Sequence, residues 1–69
     1  MKLKEHRELA RLTQFELAQR AKTSQAHISA LEAGRLANPT MNTVEALAHA
    51  LDVSIPEIIS AIRESNEAA

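Results

Sequence analysis

The chain has 69 residues, of which 25% are charged, and a formal net charge of −1. A chain of this length buries only about 60% of its unfolded surface, so we expect a single core that is marginal unless it is well packed or oligomeric. Without cysteine, a long apolar run or a signal-peptide-like segment, the sequence indicates no disulfide framework, thiolate metal site or membrane span, and a reducing cytoplasm is the expected setting.

The first predicted helix covers residues 2–11. Leu3, Arg7 and Ala10 share one face at positions i, i+4 and i+7, with Leu9 beside them. This spacing predicts an opening helix that packs one face on the core.

A second helix is predicted to begin at about Gln14. Thr13 is a candidate N-cap, and Glu16 three residues later completes the sequence of a capping box. Its apolar face consists of Leu17, Ala18 and Ala21. Small Ala18 allows another backbone to approach closely.

A third helix follows after a very short turn at residues 22–23. Ser24 is the candidate N-cap, and Ile28 and Leu31 share the apolar face. The outward positions are Gln25, Ala26, His27, Ser29 and Ala30. This mostly uncharged strip suits the DNA major groove, where an amide can bond to adenine and a methyl can pack on thymine. The two helices together predict a helix-turn-helix motif over about residues 13–33.

The next elements are a loop and a fourth helix. Gly34 is predicted to end the third helix, and Pro39 to fix an extended loop. A fourth helix is predicted over about 41–51. Its apolar stripe consists of Val44, Leu47, Ala48 and Leu51.

The last helix is predicted over about 54–63, with Ser54 as its cap and Pro56 in its first turn. Four isoleucines lie on it at i, i+3, i+4 and i+7. Either they all pack inward, or they form an interface with a second copy, which we favour because so small a domain can hardly cover them. The predicted interface consists of Leu51, Val53, Ile55, Ile58, Ile59 and Ile62. Residues 64–69 are expected to be a frayed tail.

Residues 3–59 resemble the phage repressor and Cro type of helix-turn-helix domain, also called the xenobiotic-response-element family. The matching residues, in order, are Arg7, Leu12, Thr13, Gln14, Leu17, Ala18, Ser24, Gln25, Ile28, Ser29, Leu31, Glu32, Gly34, Pro39, Leu47, Ala48, Leu51, Val53 and Ser54. The resemblance implies an all-α, five-helix, lambda-repressor-like domain that binds double-stranded DNA sequence-specifically. The expected function is a transcriptional regulator, a repressor acting as a homodimer on a near-palindromic operator. Two-fold dimers of this kind place their recognition helices roughly 34 Å apart.

The resemblance also implies roles for individual residues. Gln25 takes the position of the main base-reading amide, followed by Ala26, Ser29 and Ala30, with His27 beside them. Gln14 is expected to cap the first motif helix and to touch a phosphate. The other expected phosphate contacts are Ser24, Arg35, Asn38 and Thr40. Arg7 and Glu32 match a structural ion pair between the first helix and the recognition helix.

Some residues depart from the family pattern. Lys22 and Arg11 stand where glycine is common, so a positive φ would strain them by very roughly 1 kcal/mol. The charge of Lys22 can compensate by facing a DNA phosphate. Phe15, the only aromatic residue, is expected to fold back on Leu9 or Leu12, the alternative being an exposed contact. The recognition helix carries no Arg or Lys, which removes the common arginine-to-guanine contact.

The charges are polarised along the sequence. Lys2, Lys4, Arg20, Lys22 and Arg35 lie in or before the motif and its loop, whereas Glu57, Glu64 and Glu67 lie near the other end. This pattern predicts specific DNA binding with weak non-specific affinity. The alternative is that these charges merely solvate the surface.

Two other classes of protein compete with a DNA-binding regulator. An enzyme is disfavoured because His6, His27 and His49 lie in three different helices and Asp52 is the only aspartate, so no catalytic residue, metal or cofactor is expected. A protein-interaction module is the stronger rival. It would be an antitoxin, a regulator that binds a second regulator, or an activator that touches polymerase. An exposed apolar surface at Phe15 or Leu36 would favour it. No small-molecule effector is expected.

Overall fold

Residues 1–36 and 38–67 are described by the computed structural model, and this part of the chain contains five α-helices and no strand. The helices are α1 (Leu3–Leu9), α2 (Gln14–Arg20), α3 (Gln25–Glu32), α4 (Met41–Leu51) and α5 (Ile55–Glu67). The predicted all-α, five-helix architecture is confirmed, and the predicted starts of α2, α3 and α4 agree with the structure. None of the described helices is long and apolar enough to cross a membrane.

Every helix contributes to one apolar core. The buried residues are Leu3, Leu12, Leu17, Ala18, Ala21, Ile28, Leu31, Val44, Leu47, Ala48, Leu51, Ile58, Ala61 and Ile62. Helix α5 packs on α1, α3 and α4, while α2 packs on α3 and α4. Burying one leucine or isoleucine fully contributes about 1.5–3 kcal/mol, so this shared core fixes how α2 and α3 are held.

Four of the helices end in the same way, with a residue at positive φ. These residues are Arg11 (φ 58°), Lys22 (φ 57°), Gly34 (φ 77°) and Asp52 (φ 56°). After α2, for example, the Thr23 N–H donates to the Ala18 carbonyl at 2.9 Å and the Lys22 N–H to the Gln19 carbonyl at 3.2 Å. This pair of bonds is the Schellman motif, which satisfies the last free carbonyls of a helix. Both positions where the family commonly has glycine therefore do adopt positive φ with long basic side chains.

The C-terminal segment differs from the prediction of a frayed tail from residue 64. Helix α5 continues to Glu67, and Ser65 is only 3% exposed. The Ser65 hydroxyl accepts a hydrogen bond from the Leu3 N–H at 3.2 Å and donates to the Ala61 carbonyl at 2.9 Å. Because this contact holds α5 against the start of α1, the helix is ordered well past its last isoleucine. Residues 68 and 69 of the expected tail lie outside the described residues.

The expectation that the domain cannot cover its own isoleucines is wrong for half of the predicted interface. Ile58 and Ile62 are 0% and 2% exposed, and Leu51 is also buried. The chain covers them because α5 packs on three helices at once. Val53, Ile55 and Ile59 are only half-buried against the same core, so they alone of this set leave apolar surface free.

The surface near the start of the motif also differs from expectation. Phe15 is 56% exposed and Leu9 is 73% exposed, so Phe15 does not fold into the core. Phe15 lies in the first turn of α2, whose inward positions are taken by Leu17 and Ala18. Helix α1 is shorter than predicted, because the chain turns at Ala10 and Arg11.

Candidate nucleic-acid interface

Helix α2 is fixed at its start by a reciprocal capping box. The Glu16 N–H donates to Thr13 Oγ1 at 3.0 Å, and the Thr13 N–H donates to Glu16 Oε1 at 2.9 Å. The bond from the Thr13 backbone holds the pKa of Glu16 below its ordinary value, because it stabilises the carboxylate. The residue that caps α2 is therefore Thr13, and not Gln14.

Helix α3 is fixed in the same region by Ser24, whose hydroxyl accepts from the His27 N–H at 3.1 Å. Its inward positions, Ile28 and Leu31, are both fully buried. Burial of this face leaves the opposite face outward. Of the five residues expected to read bases, Gln25 and Ala26 are exposed, and His27, Ser29 and Ala30 are half-exposed. All five are therefore at least partly accessible to a partner.

The imidazole of His27 has a partner within the protein. Its Nδ1 lies 2.7 Å from Thr23 Oγ1, a hydrogen-bond distance, in the turn that precedes α3. Thr23 was not among the predicted site residues. The spacing of the two residues could have indicated this contact. Residues four positions apart lie side by side at the start of a helix, and Thr23 lies four residues before His27.

A buried ionic cluster ties α3 to α1 and α2. Arg7 Nε donates to Glu32 Oε2 at 2.6 Å, and the side chains are only 12% and 5% exposed. Arg7 also donates to the Leu12 carbonyl at 2.8 Å, and Gln14 Nε2 donates to Glu32 Oε1 at 3.0 Å. The bond to Glu32 raises the pKa of Arg7 further above its ordinary value. Gln14 is thus bound to Glu32 on the protein side, which leaves only part of its amide for a phosphate.

The remaining expected phosphate contacts surround the exposed side of α3. Lys22 and Ser24 are exposed just before it, and Arg35, Asn38 and Thr40 are exposed in the loop after it. Thr40 also caps α4, since its hydroxyl accepts from the Thr43 N–H at 3.3 Å. Ala37, in the middle of this loop, lies outside the described residues.

The charges near α3 are mainly positive. Arg20, Lys22 and Arg35 are exposed, while Glu32 is neutralised by Arg7 and Glu16 lies in the capping box. Helices α4 and α5 carry a single lysine or arginine, Arg63. Their acidic residues are Glu45, Glu57, Glu64 and Glu67, and Asp52 follows α4. The half of the chain that contains the motif therefore carries most of the positive charge despite the net charge of −1.

The described residues contain no group of three or more His, Cys, Asp or Glu that could hold a metal ion. The three histidines lie on α1, α3 and α4, as expected, with His49 exposed and His6 and His27 half-exposed. Every buried side-chain nitrogen or oxygen in this part of the chain has a hydrogen-bond partner. The buried polar side chains of this part therefore have structural partners within the protein.

Comparison with known proteins supports the geometry. A family model described as "Helix-turn-helix" matches residues 3–58, most of the chain. The chain belongs to the phage repressor and Cro type of helix-turn-helix family. Searches of curated proteins and of solved structures gave no significant match.

Membership of the helix-turn-helix family assigns a role in DNA binding to α2 and α3. The family consists of DNA-binding regulators and not of enzymes, so the chain is a DNA-binding helix-turn-helix regulator. In the helix-turn-helix motif the second helix enters the major groove while the first crosses the backbone. Here α3 is the second helix and α2 the first.

Proposed function

We propose that the protein is a sequence-specific repressor that binds double-stranded DNA as a homodimer on a near-palindromic operator. The observation that carries this proposal is the uncharged and at least partly exposed strip of α3 between two exposed cations, Lys22 and Arg35. Uncharged donors, acceptors and methyl groups are what base edges require, and flanking cations are what phosphates require.

Gln25 is the proposed main base reader. It is exposed at the first position of α3, and its amide can bond both N6 and N7 of adenine. Ala26 and Ala30 offer methyl groups for thymine, and Ser29 offers a hydroxyl. Repression then needs only that the domain occupy its operator.

The proposed phosphate contacts are Lys22, Ser24, Arg35, Asn38 and Thr40, with a lesser part for Gln14. The free backbone N–H groups at the starts of α3 and α4 favour anions in the same places. The cations are few, and α4 and α5 are acidic. We therefore expect weak non-specific binding with a shallow dependence on salt.

The proposed homodimer rests on partly exposed apolar side chains of α4, α5 and the segment between them, namely Val53, Ile55, Ile59 and Met41. The first three are half-buried, and Met41, at the start of α4, is 55% exposed. Met41 and Ile59 line one groove together with Pro39 and Arg63. Met41 was not in the interface predicted from sequence, which was drawn from α5 and the residues just before it.

Sedimentation velocity at micromolar concentration tests the dimer. The variant Met41→Glu should shift the protein to monomer, because it replaces an exposed apolar side chain of this groove by a charge. A glutamate is favourable at a helix N-terminus, so the fold should persist. Phe15→Glu, also near a helix start but on α2, is the matched control and should leave the dimer intact. Monomer only in the wild type would contradict the homodimer.

Base reading is tested by comparing Gln25→Ala with Arg35→Ala on a selected duplex and on unrelated duplexes. Gln25→Ala should lower affinity for the selected duplex by about 1–3 kcal/mol and leave unrelated duplexes unchanged. Arg35→Ala should weaken binding to every duplex and reduce the salt slope by about 1. Equal losses on all sequences for Gln25→Ala would remove its assigned role.

A second candidate function is a protein-interaction module, such as an antitoxin or a regulator that binds another regulator or polymerase. The exposed Phe15 and Leu9 favour it, since both leave large apolar side chains at the surface. Leu36, the other expected contact, is instead half-buried against the core. Co-purification of a partner with wild type but not with Phe15→Ser would support this function.

A further inference from the structure

We propose that Thr23 is a positioning residue that fixes the imidazole of His27 as a hydrogen-bond donor to the DNA major groove. This inference rests on the proposed function, because it concerns how α3 reads bases. It adds a residue that lies in the turn and touches no base itself.

Both ends of the Thr23–His27 contact are held by backbone hydrogen bonds. The Thr23 N–H donates to the Ala18 carbonyl at 2.9 Å, which anchors the turn to α2. The His27 N–H donates to Ser24 Oγ at 3.1 Å, which anchors the first turn of α3. The 2.7 Å distance from Thr23 Oγ1 to His27 Nδ1 therefore joins two fixed points and restricts rotation of the ring.

The position of the ring favours one arrangement of its protons. His27 lies in the first turn of α3, directly after the turn that contains Thr23, so the Thr23 hydroxyl reaches its Nδ1. A neutral ring whose Nδ1 accepts the Thr23 hydroxyl proton keeps its own proton on Nε2. Which nitrogen of a histidine carries the proton is set by the bond that the other nitrogen makes.

A donor at Nε2 determines which base edges His27 can read. In the major groove guanine presents two acceptors, N7 and O6. Adenine presents one acceptor, N7, beside a competing donor, thymine presents one acceptor, O4, beside its methyl group, and cytosine presents a donor. His27 is half-exposed in the first turn of α3, two positions after the exposed Gln25. The donor therefore favours guanine, in a recognition helix whose residues 25–32 include no arginine or lysine.

The test uses two variants: Thr23→Val replaces the hydroxyl by a methyl group, and Thr23→Ser keeps the hydroxyl and loses the methyl group. Nitrogen-15 NMR of the free protein at about pH 8 reports the tautomer without DNA. Wild type and Thr23→Ser should show a proton on Nε2 and a hydrogen-bonded Nδ1, and Thr23→Val should lose that bond. A proton on Nδ1 in the wild type would overturn the proposal.

Selection from a pool of random duplexes then tests the reading of bases. Wild type and Thr23→Ser should enrich guanine at one position of each half-site. Thr23→Val and His27→Ala should lose that preference by roughly 2- to 10-fold, the range of one hydrogen bond, with other positions unchanged. A guanine preference that is equal in wild type and Thr23→Val would overturn the role of Thr23 alone. The absence of any enriched sequence with wild type would contradict the proposed function itself, whereas the NMR result would still decide whether Thr23 holds the ring.

Discussion

Arg7 and Glu32 join the first helix to the end of the recognition helix through a buried ion pair, with 2.6 Å between Arg7 Nε and Glu32 Oε2. Glu32 also accepts from Gln14 at the start of α2. One carboxylate at the end of α3 thus holds side chains from both preceding helices. The orientation of the recognition helix depends on this contact as well as on the apolar core.

We expect Arg7→Met to destabilise the protein by about 3–5 kcal/mol, because it leaves the nearly buried Glu32 without its cation. Urea unfolding followed by circular dichroism measures this change. Arg20→Met, on the exposed surface of α2, is the control and should change stability by less than about 0.5 kcal/mol. The double variant Arg7→Met with Glu32→Met should recover much of the loss. A single variant as stable as wild type would show that the pair does not hold α3.

The contact between Ser65 and Leu3 predicts that the end of α5 contributes to stability. Ser65→Ala leaves the Leu3 N–H without its acceptor, which should cost about 1–3 kcal/mol. Ser60→Ala on the exposed side of the same helix should have little effect. Thermal unfolding of the two variants side by side distinguishes them, and equal melting temperatures would mean that residues beyond Ile62 are dispensable.

The residues at positive φ predict that one substitution to glycine stabilises the protein. Arg11→Gly should raise the free energy of unfolding by about 0.5–1 kcal/mol, since glycine removes the left-handed strain of a residue with a Cβ. Its neighbour Ala10 has a φ of −80°, so Ala10→Gly should instead destabilise by a similar amount. The same direction of change for both would contradict the assignment of strain to Arg11.

The capping box of α2 predicts a dependence of stability on pH. Because the pKa of Glu16 is lowered in the folded protein, the unfolded chain takes up its proton first as the pH falls. The stabilisation is therefore complete above the ordinary glutamate pKa of about 4.3, and is lost as the pH falls through the lowered value. Wild type should lose more stability between about pH 5 and pH 3 than Glu16→Gln, which does not titrate at this position. Parallel stability curves for the two proteins would refute this.

Most of the fold could be predicted from the sequence because the helix caps and the apolar spacing agree with one another. Three hydroxyl residues each precede a segment whose apolar residues recur with the helical period of about 3.6 residues. Each of them caps a helix in the structure, namely Thr13, Ser24 and Thr40. Family resemblance added the pairing of Arg7 with Glu32, which no spacing rule reveals for residues 25 positions apart. The candidate DNA surface follows directly from which face of α3 is apolar.

Contacts between distant elements could not be predicted in this way. Whether an isoleucine on α5 is buried depends on how many other helices pack on it. The apolar periodicity of a single helix does not predict how many helices that will be. Phe15 shows the opposite error, since its size suggested burial but its position in the first turn of α2 faces away from the core. The contact of Ser65 with Leu3 joins opposite ends of the chain, so a local reading placed it in a frayed tail.

The measurement that tests the central claim most directly is selection of duplexes from a random pool with purified wild-type protein, at two salt concentrations. We predict an enriched inverted repeat whose half-sites lie about one helical turn apart, roughly 10 base pairs, at both salt concentrations. This result would establish sequence-specific binding and two-fold symmetry together. Recovery of no preferred sequence at either salt concentration would contradict the claim that the outward face of α3 reads DNA.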